Sequence, residues 1–182
     1  PLSAVTPELR KRAKAVNFGI VYGIGDYSLS VDLGITKKQA GEYIANYLAR
    51  FHAIDSYLKD TVRMAYDHGF VETIFGRRRY IPELKASNKM MRSFGERVAM
   101  NSPIQGSAAD IIKIAMVNAR NALAAANIDA RLILQVHDEL VVEAARTCAD
   151  EAAMILRREM ENAVSLSVPL SVDLTVGDTW YE

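Results

Sequence analysis

Arg10, Lys14, Phe18 and Tyr22 recur every four residues, a spacing that lines side chains along one face of an α-helix. Two cations come first, then two large aromatic rings, and that order suits a nucleotide. The Arg fork can grip phosphate oxygens, and Lys brings a compact charge. A Phe ring offers a flat surface to sugar and base, and a Tyr ring one turn further on offers a stacking platform. Phosphates would then lie toward the helix N-terminus, where the dipole also favours them. The same spacing describes an amphipathic helix with ordinary surface cations and with aromatics packed on another element. Spacing alone leaves both readings open.

A second candidate is the corner His137-Asp138-Glu139. It joins the apolar runs Leu132-Ile133-Leu134-Gln135-Val136 and Leu140-Val141-Val142. Runs that are apolar on both faces predict a buried hairpin. Two carboxylates at its tip are costly unless a cation or hydrogen bonds compensate. Adjacent strand residues point to opposite sides, so at most one of Asp138 and Glu139 aims into a shared site. The alternative is a turn that simply reaches solvent, since Asp is common in turns.

Between these constellations, Arg97, Asn101 and Gln105 lie four residues apart and lead into Gly106-Ser107-Ala108-Ala109-Asp110. Asn and Gln can read the minor-groove acceptors that every base pair presents, which suits checking shape rather than sequence. Helix capping and loop hydrogen bonding account for them equally well. Arg77, Arg78 and Arg79 could touch phosphate or belong to a solvated turn.

The elements that must hold these residues can be read in outline. Thr6 as N-cap, Pro7 and Glu8 predict a helix running to about Tyr22, stopped by Gly23 and Gly25. Leu9, Ala13, Val16 and Ile20 form its packing face, roughly 150° around from the Arg10–Tyr22 stripe. Further helices are expected after Thr36 and over about 53–66. A short hairpin is expected over 70–81, then a helix over about 90–100 broken by Pro103. Ala108, Ile111, Ile112, Ala115, Met116, Ala119 and Leu123 give a strong helical stripe. Strands over 131–136 and 140–143, a helix near 148–163 and a strand over 170–176 follow. The fold class is α+β, an almost wholly helical first part followed by helices packed on a small antiparallel sheet, with the boundary near residue 92.

The formal net charge is zero, but its distribution is not even: residues 1–97 carry a balance of +6 and residues 98–182 a balance of −6. A basic part can meet phosphates while an acidic part holds cations. The single cysteine, Cys148, excludes an internal disulfide framework and fits a reduced, cytoplasmic setting. One cysteine and three scattered histidines do not make a structural zinc site. No apolar run reaches the eighteen residues of a membrane span.

The stretch Arg10-Lys11-Arg12-Ala13-Lys14-Ala15-Val16-Asn17-Phe18-Gly19-Ile20-Val21-Tyr22-Gly23 resembles motif B of the family A DNA polymerases, the nucleotide-binding helix of their fingers. Gln135-Val136-His137-Asp138-Glu139-Leu140 resembles motif C of the same family, in the family's order. Val168-Pro169-Leu170 and Gly177-Asp178-Thr179-Trp180 look like its closing strand, and the sequence is most similar to the bacterial enzymes. The resemblance implies template-directed transfer of a nucleotide from a dNTP to a primer 3′-hydroxyl. It implies that Arg10 and Lys14 contact the triphosphate, with Lys14 the proton donor to pyrophosphate, and that Phe18 lines the sugar and base. Tyr22 and Gly23 would sit at the template base, and Arg97, Asn101, Gln105 and His137 against primer–template DNA. Asp138 would be a ligand of two Mg2+ ions, with Glu139 supporting the site. Residues 1–92 would be the fingers and 93–182 the C-terminal part of the palm.

The family's motif A, a strand bearing a second metal-binding Asp and a nearby steric-gate Glu, belongs before motif B, and only a few residues precede it here. The thumb is likewise missing. Two-metal transfer holds ions roughly 3.5–4 Å apart between shared carboxylates. The resemblance therefore implies that the remainder of the polymerase chain is needed for activity, and that these 182 residues alone extend DNA weakly or not at all. The competing function is a non-catalytic nucleic-acid-binding module that uses the basic part without chemistry. A metal-dependent phosphohydrolase would need further His/Asp ligands, and there is no second His-Asp pair.

Overall fold

Thr6 opens helix α1 (Pro7–Val21) by accepting the amide of Leu9 on its hydroxyl, with Pro7 in the first turn and Glu8 beside the positive end of the dipole. The computed structural model describes residues 4–180. At its far end α1 stops in a paired capping arrangement: Ile24 N–H donates to Gly19 C=O (2.8 Å) and Gly23 N–H to Ile20 C=O (3.0 Å). That arrangement requires a left-handed residue, and Gly23 supplies it at φ +75°.

Helix α2 (Asp26–Leu33) follows directly, a helix that the sequence reading leaves out. Its signals were present in Gly25 and Asp26 at the start and left-handed Gly34 at the end, but eight residues carry little periodicity. Its shortness explains a second difference. The predicted packing face of α1 is buried only at Ile20 and partly at Val16, while Leu9 and Ala13 are exposed. Helix α2 packs on α1, and the Arg12 guanidinium donates to the Leu33 carbonyl at 3.2 Å. The first turns of α1 have no such cover.

Helix α3 (Lys37–Arg50) begins in a capping box, with Thr36 accepting the Gln39 amide and Gln39 Oε1 accepting the Thr36 amide. Helix α4 (His52–His68) leads through Gly69 into the antiparallel pair β1 (Phe70–Glu72) and β2 (Arg78–Tyr80). The expected hairpin is there, with Val71 opposite Arg79. A 3-10 turn, Pro82–Lys85, then lays Leu84 against α5 (Lys89–Ala126). Gly95 makes this approach possible, because a Cβ there would stand 3.1 Å from the Leu84 nitrogen. Ala65, Val71, Ile81, Leu84 and Ala99 form the core of this part.

The chain's two compact units divide inside α5, between Gly106 and Ser107. The expected break at Pro103 does not occur, and α5 runs unbroken through it for 38 residues. A proline inside a helix forfeits a backbone bond at a cost of ~3 kcal/mol or more. Ala99, Pro103, Ser107 and Asp110 are all buried on one face of the helix, and that burial offsets the loss.

In the second unit, β3 (Ala130–Val136) pairs with β4 (Glu139–Ala144). Helix α6 (Ala149–Glu161) and the end of α5 close one face of this hairpin. Ala115, Ala119 and Leu140 form one core cluster with Leu132 and Leu156, and Leu123, Ala152 and Ile155 form another with Val142. The hairpin is therefore covered on one side rather than buried on both: Ile133 is 53% and Leu134 42% exposed. A register shift between Leu132 and Leu134 contributes by turning Ile133 out of the ladder. The strand expected over 170–176 is also not formed. That stretch is extended but has no ladder partner among the described residues, and is tied instead by the Val172 amide to Glu161 at 3.2 Å. Apolar β-branched residues favour a strand only where a sheet edge receives them.

Candidate functional site

The predicted stripe on α1 is a physical ladder. Lys14 Nζ lies 5.9 Å from the Phe18 ring centroid, within reach of a cation–π contact. The Phe18 and Tyr22 rings stack at 6.1 Å with 25° between their planes. Phe18 is 51% exposed, so this aromatic face points away from the buried Ile20 and is open to a ligand. Arg10 is exposed one turn before Lys14. A polar helix face would ordinarily be solvated. Here a ring sits within reach of a cation and a second ring stacks on it, which suits a flat, anionic ligand.

Gly23 brings the α5 row to the end of this ladder. A Cβ on Gly23 would stand 2.3 Å from Met100 Cε and 3.3 Å from Arg97 Cγ, so the two helices touch at this glycine. Arg97 and Gln105 are exposed, and Asn101 between them is partly buried. The Asn101 Oδ1 is buried without a hydrogen-bond partner. Buried side-chain oxygens are rarely left so. The first unit thus brings Lys14, Phe18, Tyr22 and Gly23 together, with Arg97 beside Gly23. Met100 carried no signal in the sequence, because one methionine in a helix reads as core.

The three arginines of the small hairpin are not equivalent. Arg78 donates to Glu72 at 2.8 Å and its guanidinium lies 4.5 Å from the Phe70 ring centroid. The hydrogen bond to Glu72 raises its already high pKa. Arg78 is thereby engaged within its own hairpin.

In the second unit, Val136 pairs with Glu139, leaving His137 and Asp138 as a two-residue turn. His137 sits at φ +52°, where few residues without glycine's freedom are found, and Gln135 Nε2 donates to its carbonyl at 2.6 Å. His137, Asp138 and Glu139 are all exposed. Among the described residues no three His, Cys, Asp or Glu side chains converge on a metal-binding point. Magnesium takes an octahedral set of oxygen ligands, several of them often water, and one exposed carboxylate beside Glu139 does not fit a complete site. Asp138 and Glu139 alone do not make up an ion's ligand set.

The profile of DNA polymerase family A matches residues 1–182, and the chain belongs to that family. Within it, the chain is 52% identical over 181 residues to DNA polymerase I of Caldicellulosiruptor bescii, covering 100% of this chain and 21% of that protein. It is also 52% identical over 178 residues to DNA polymerase I of Bacillus subtilis, covering 98% of this chain and 20% of the other. A solved structure, the POL domain of Pol1 from M. smegmatis in complex with DNA primer-template and dNTP, matches with a TM-score of 0.90. Its sequence identity is 45%, over 94% of this chain and 30% of that one. The chain therefore spans about a fifth of the length of the curated relatives it matches. No helix among the described residues is long and apolar enough to cross a membrane.

Proposed function

We propose that the protein carrying this chain is a DNA-directed DNA polymerase that uses α1 as its nucleotide-binding helix. The observation that carries the reading is the exposed Lys14–Phe18–Tyr22 ladder. It is supported by likeness to a polymerase domain bound to primer-template and dNTP. Arg10 and Lys14 take the triphosphate oxygens, and the Phe18 face receives sugar and base. Tyr22, at the end of the ladder, stands where a template base stacks. Lys14 neutralises charge developing on the departing pyrophosphate and gives it a proton.

Arg97, Asn101 and Gln105 meet primer–template DNA along one side of α5, where the Asn and Gln side-chain amides can donate to minor-groove acceptors. His137 meets the primer end. Residues 1–92 act as fingers and residues 93–182 as part of the palm. Membership in the family implies use of divalent metal. We assign Asp138 as one carboxylate for Mg2+, with Glu139 as support and the further ligands supplied outside these 182 residues. Ions held there would supply positive charge for the attacking primer hydroxyl and the leaving pyrophosphate.

The test is primer extension by the full-length protein on a primed DNA template. Incorporation of the nucleotide complementary to the template, abolished by Asp138→Ala, is the expected result. DNA binding without extension would favour the non-catalytic binding module. The isolated 182-residue chain should extend weakly or not at all in the same assay, and extension at the full-length rate would show that its donors are complete.

A further inference from the structure

The contact between Gly23 and Met100 lies next to the stacking platform, and Met100 itself is assigned to no ligand. Tyr22 is the last residue before Gly23, and three contacts hold this end of α1. One is the stack on Phe18 at 6.1 Å. The second is the pair of capping hydrogen bonds that closes α1 around Tyr22. The third is Met100, whose terminal methyl and sulfur lie where a side chain on Gly23 would be, at 2.3 and 3.4 Å from an ideal Cβ.

Met100 in turn stands one helical turn after Arg97 and immediately before Asn101, flanking the row of α5 read as facing primer–template DNA. A thioether side chain has three rotatable bonds and yields more readily than a branched one. Gly23, with no side chain, presents only backbone to it. The junction is thus a soft apolar backing that joins the platform at the end of α1 to the α5 row.

We propose that Met100 is a positioning residue for Tyr22, and through it a determinant of how strictly the template base is aligned. The inference rests on the proposed function above. Removing the thioether leaves the α-carbon of Gly23 facing a void. The cap then loses its backing, and Tyr22 can settle in more than one orientation. A correctly paired nucleotide would still be bound by Arg10, Lys14 and Phe18, whereas misaligned or mispaired templates would be rejected less well.

The experiment compares single-nucleotide insertion by the full-length protein with Met100→Ala, Met100→Val and Met100→Leu, using matched and mismatched dNTPs on one primer–template. For Met100→Ala the ratio of correct to incorrect insertion should fall by about tenfold, the scale expected for losing a cluster of van der Waals contacts. The KM for the correct dNTP should change by less than about twofold, because uniform ligand binding is untouched. Met100→Leu, of similar volume, should restore the ratio. Met100→Val keeps the site apolar but withdraws from Gly23. It should behave like Met100→Ala, and it carries the test if the alanine variant does not fold.

A merely structural role would lower activity on all substrates alike and leave the ratio unchanged, and that result would overturn the inference alone. A wild-type protein that extends no primer would overturn the proposed function, and this inference with it.

Discussion

The Lys14 ammonium stands 5.9 Å from the centre of the Phe18 ring, with Tyr22 stacked beyond it. This one relationship links charge and flat surface on the same helical line. It also makes separable predictions, because the proposed function gives the cation and the ring different parts of a nucleotide.

Phe18 carries no hydroxyl on its ring. The full-length protein should discriminate against nucleotides lacking a 3′-hydroxyl, and Phe18→Tyr should relax that discrimination while leaving insertion of ordinary dNTPs nearly unchanged. Competition between a dNTP and its dideoxy analogue in a sequencing-type extension reads this directly. Equal use of the two by the wild type would contradict the role given to Phe18.

Gly23→Ala should destabilise the fold. A side chain at φ +75° costs about 1–2 kcal/mol in left-handed strain, and Met100 must also move aside. Urea unfolding of the variant should show a lower midpoint with an unchanged slope. An unchanged midpoint would mean that the end of α1 can be rebuilt without its left-handed residue.

Much of this site was legible in the sequence because it depends on local geometry. A four-residue recurrence on a capped helix fixes which side chains share a face, whatever the helix packs on, so the ladder followed from spacing. What was not legible depends on distant partners. Leu9 and Ala13 read as a packing face but are exposed, because α2 is too short to cover them. Pro103 reads as a helix end, but burial along Ala99, Ser107 and Asp110 carries α5 through it. The stretch over 170–176 has strand-forming residues but no ladder partner among those described. Met100 could not have been singled out, since only the fold reveals that its methyl fills the place of a side chain on Gly23.

His137 occupies a strained turn position at φ +52°. Replacing it by glycine should change stability by less than about 1 kcal/mol, because relief of strain is offset by the greater freedom of glycine in the unfolded chain. If His137 meets the primer end, His137→Gly should nonetheless weaken primer–template binding, measured by fluorescence anisotropy of labelled DNA. A marked loss of stability with unchanged DNA binding would show a structural histidine instead.

Asp138 is exposed at the hairpin tip, so Asp138→Asn should leave the thermal midpoint nearly unchanged. If Asp138 is a carboxylate for Mg2+ as proposed, the same substitution should lower the extension rate of the full-length protein by more than about a hundredfold. Stability and rate falling together would point to a role for Asp138 in holding the hairpin rather than in chemistry.

The most direct test of the central claim is the rate of single-nucleotide incorporation by the full-length protein and its Lys14→Ala variant, with primer–template affinity measured alongside. If Lys14 acts on the departing pyrophosphate as proposed, its loss should cost about 100- to 1000-fold in rate while DNA affinity stays close to wild type. Incorporation at the wild-type rate by Lys14→Ala would contradict the account, because the ladder on α1 would then not be where the nucleotide reacts.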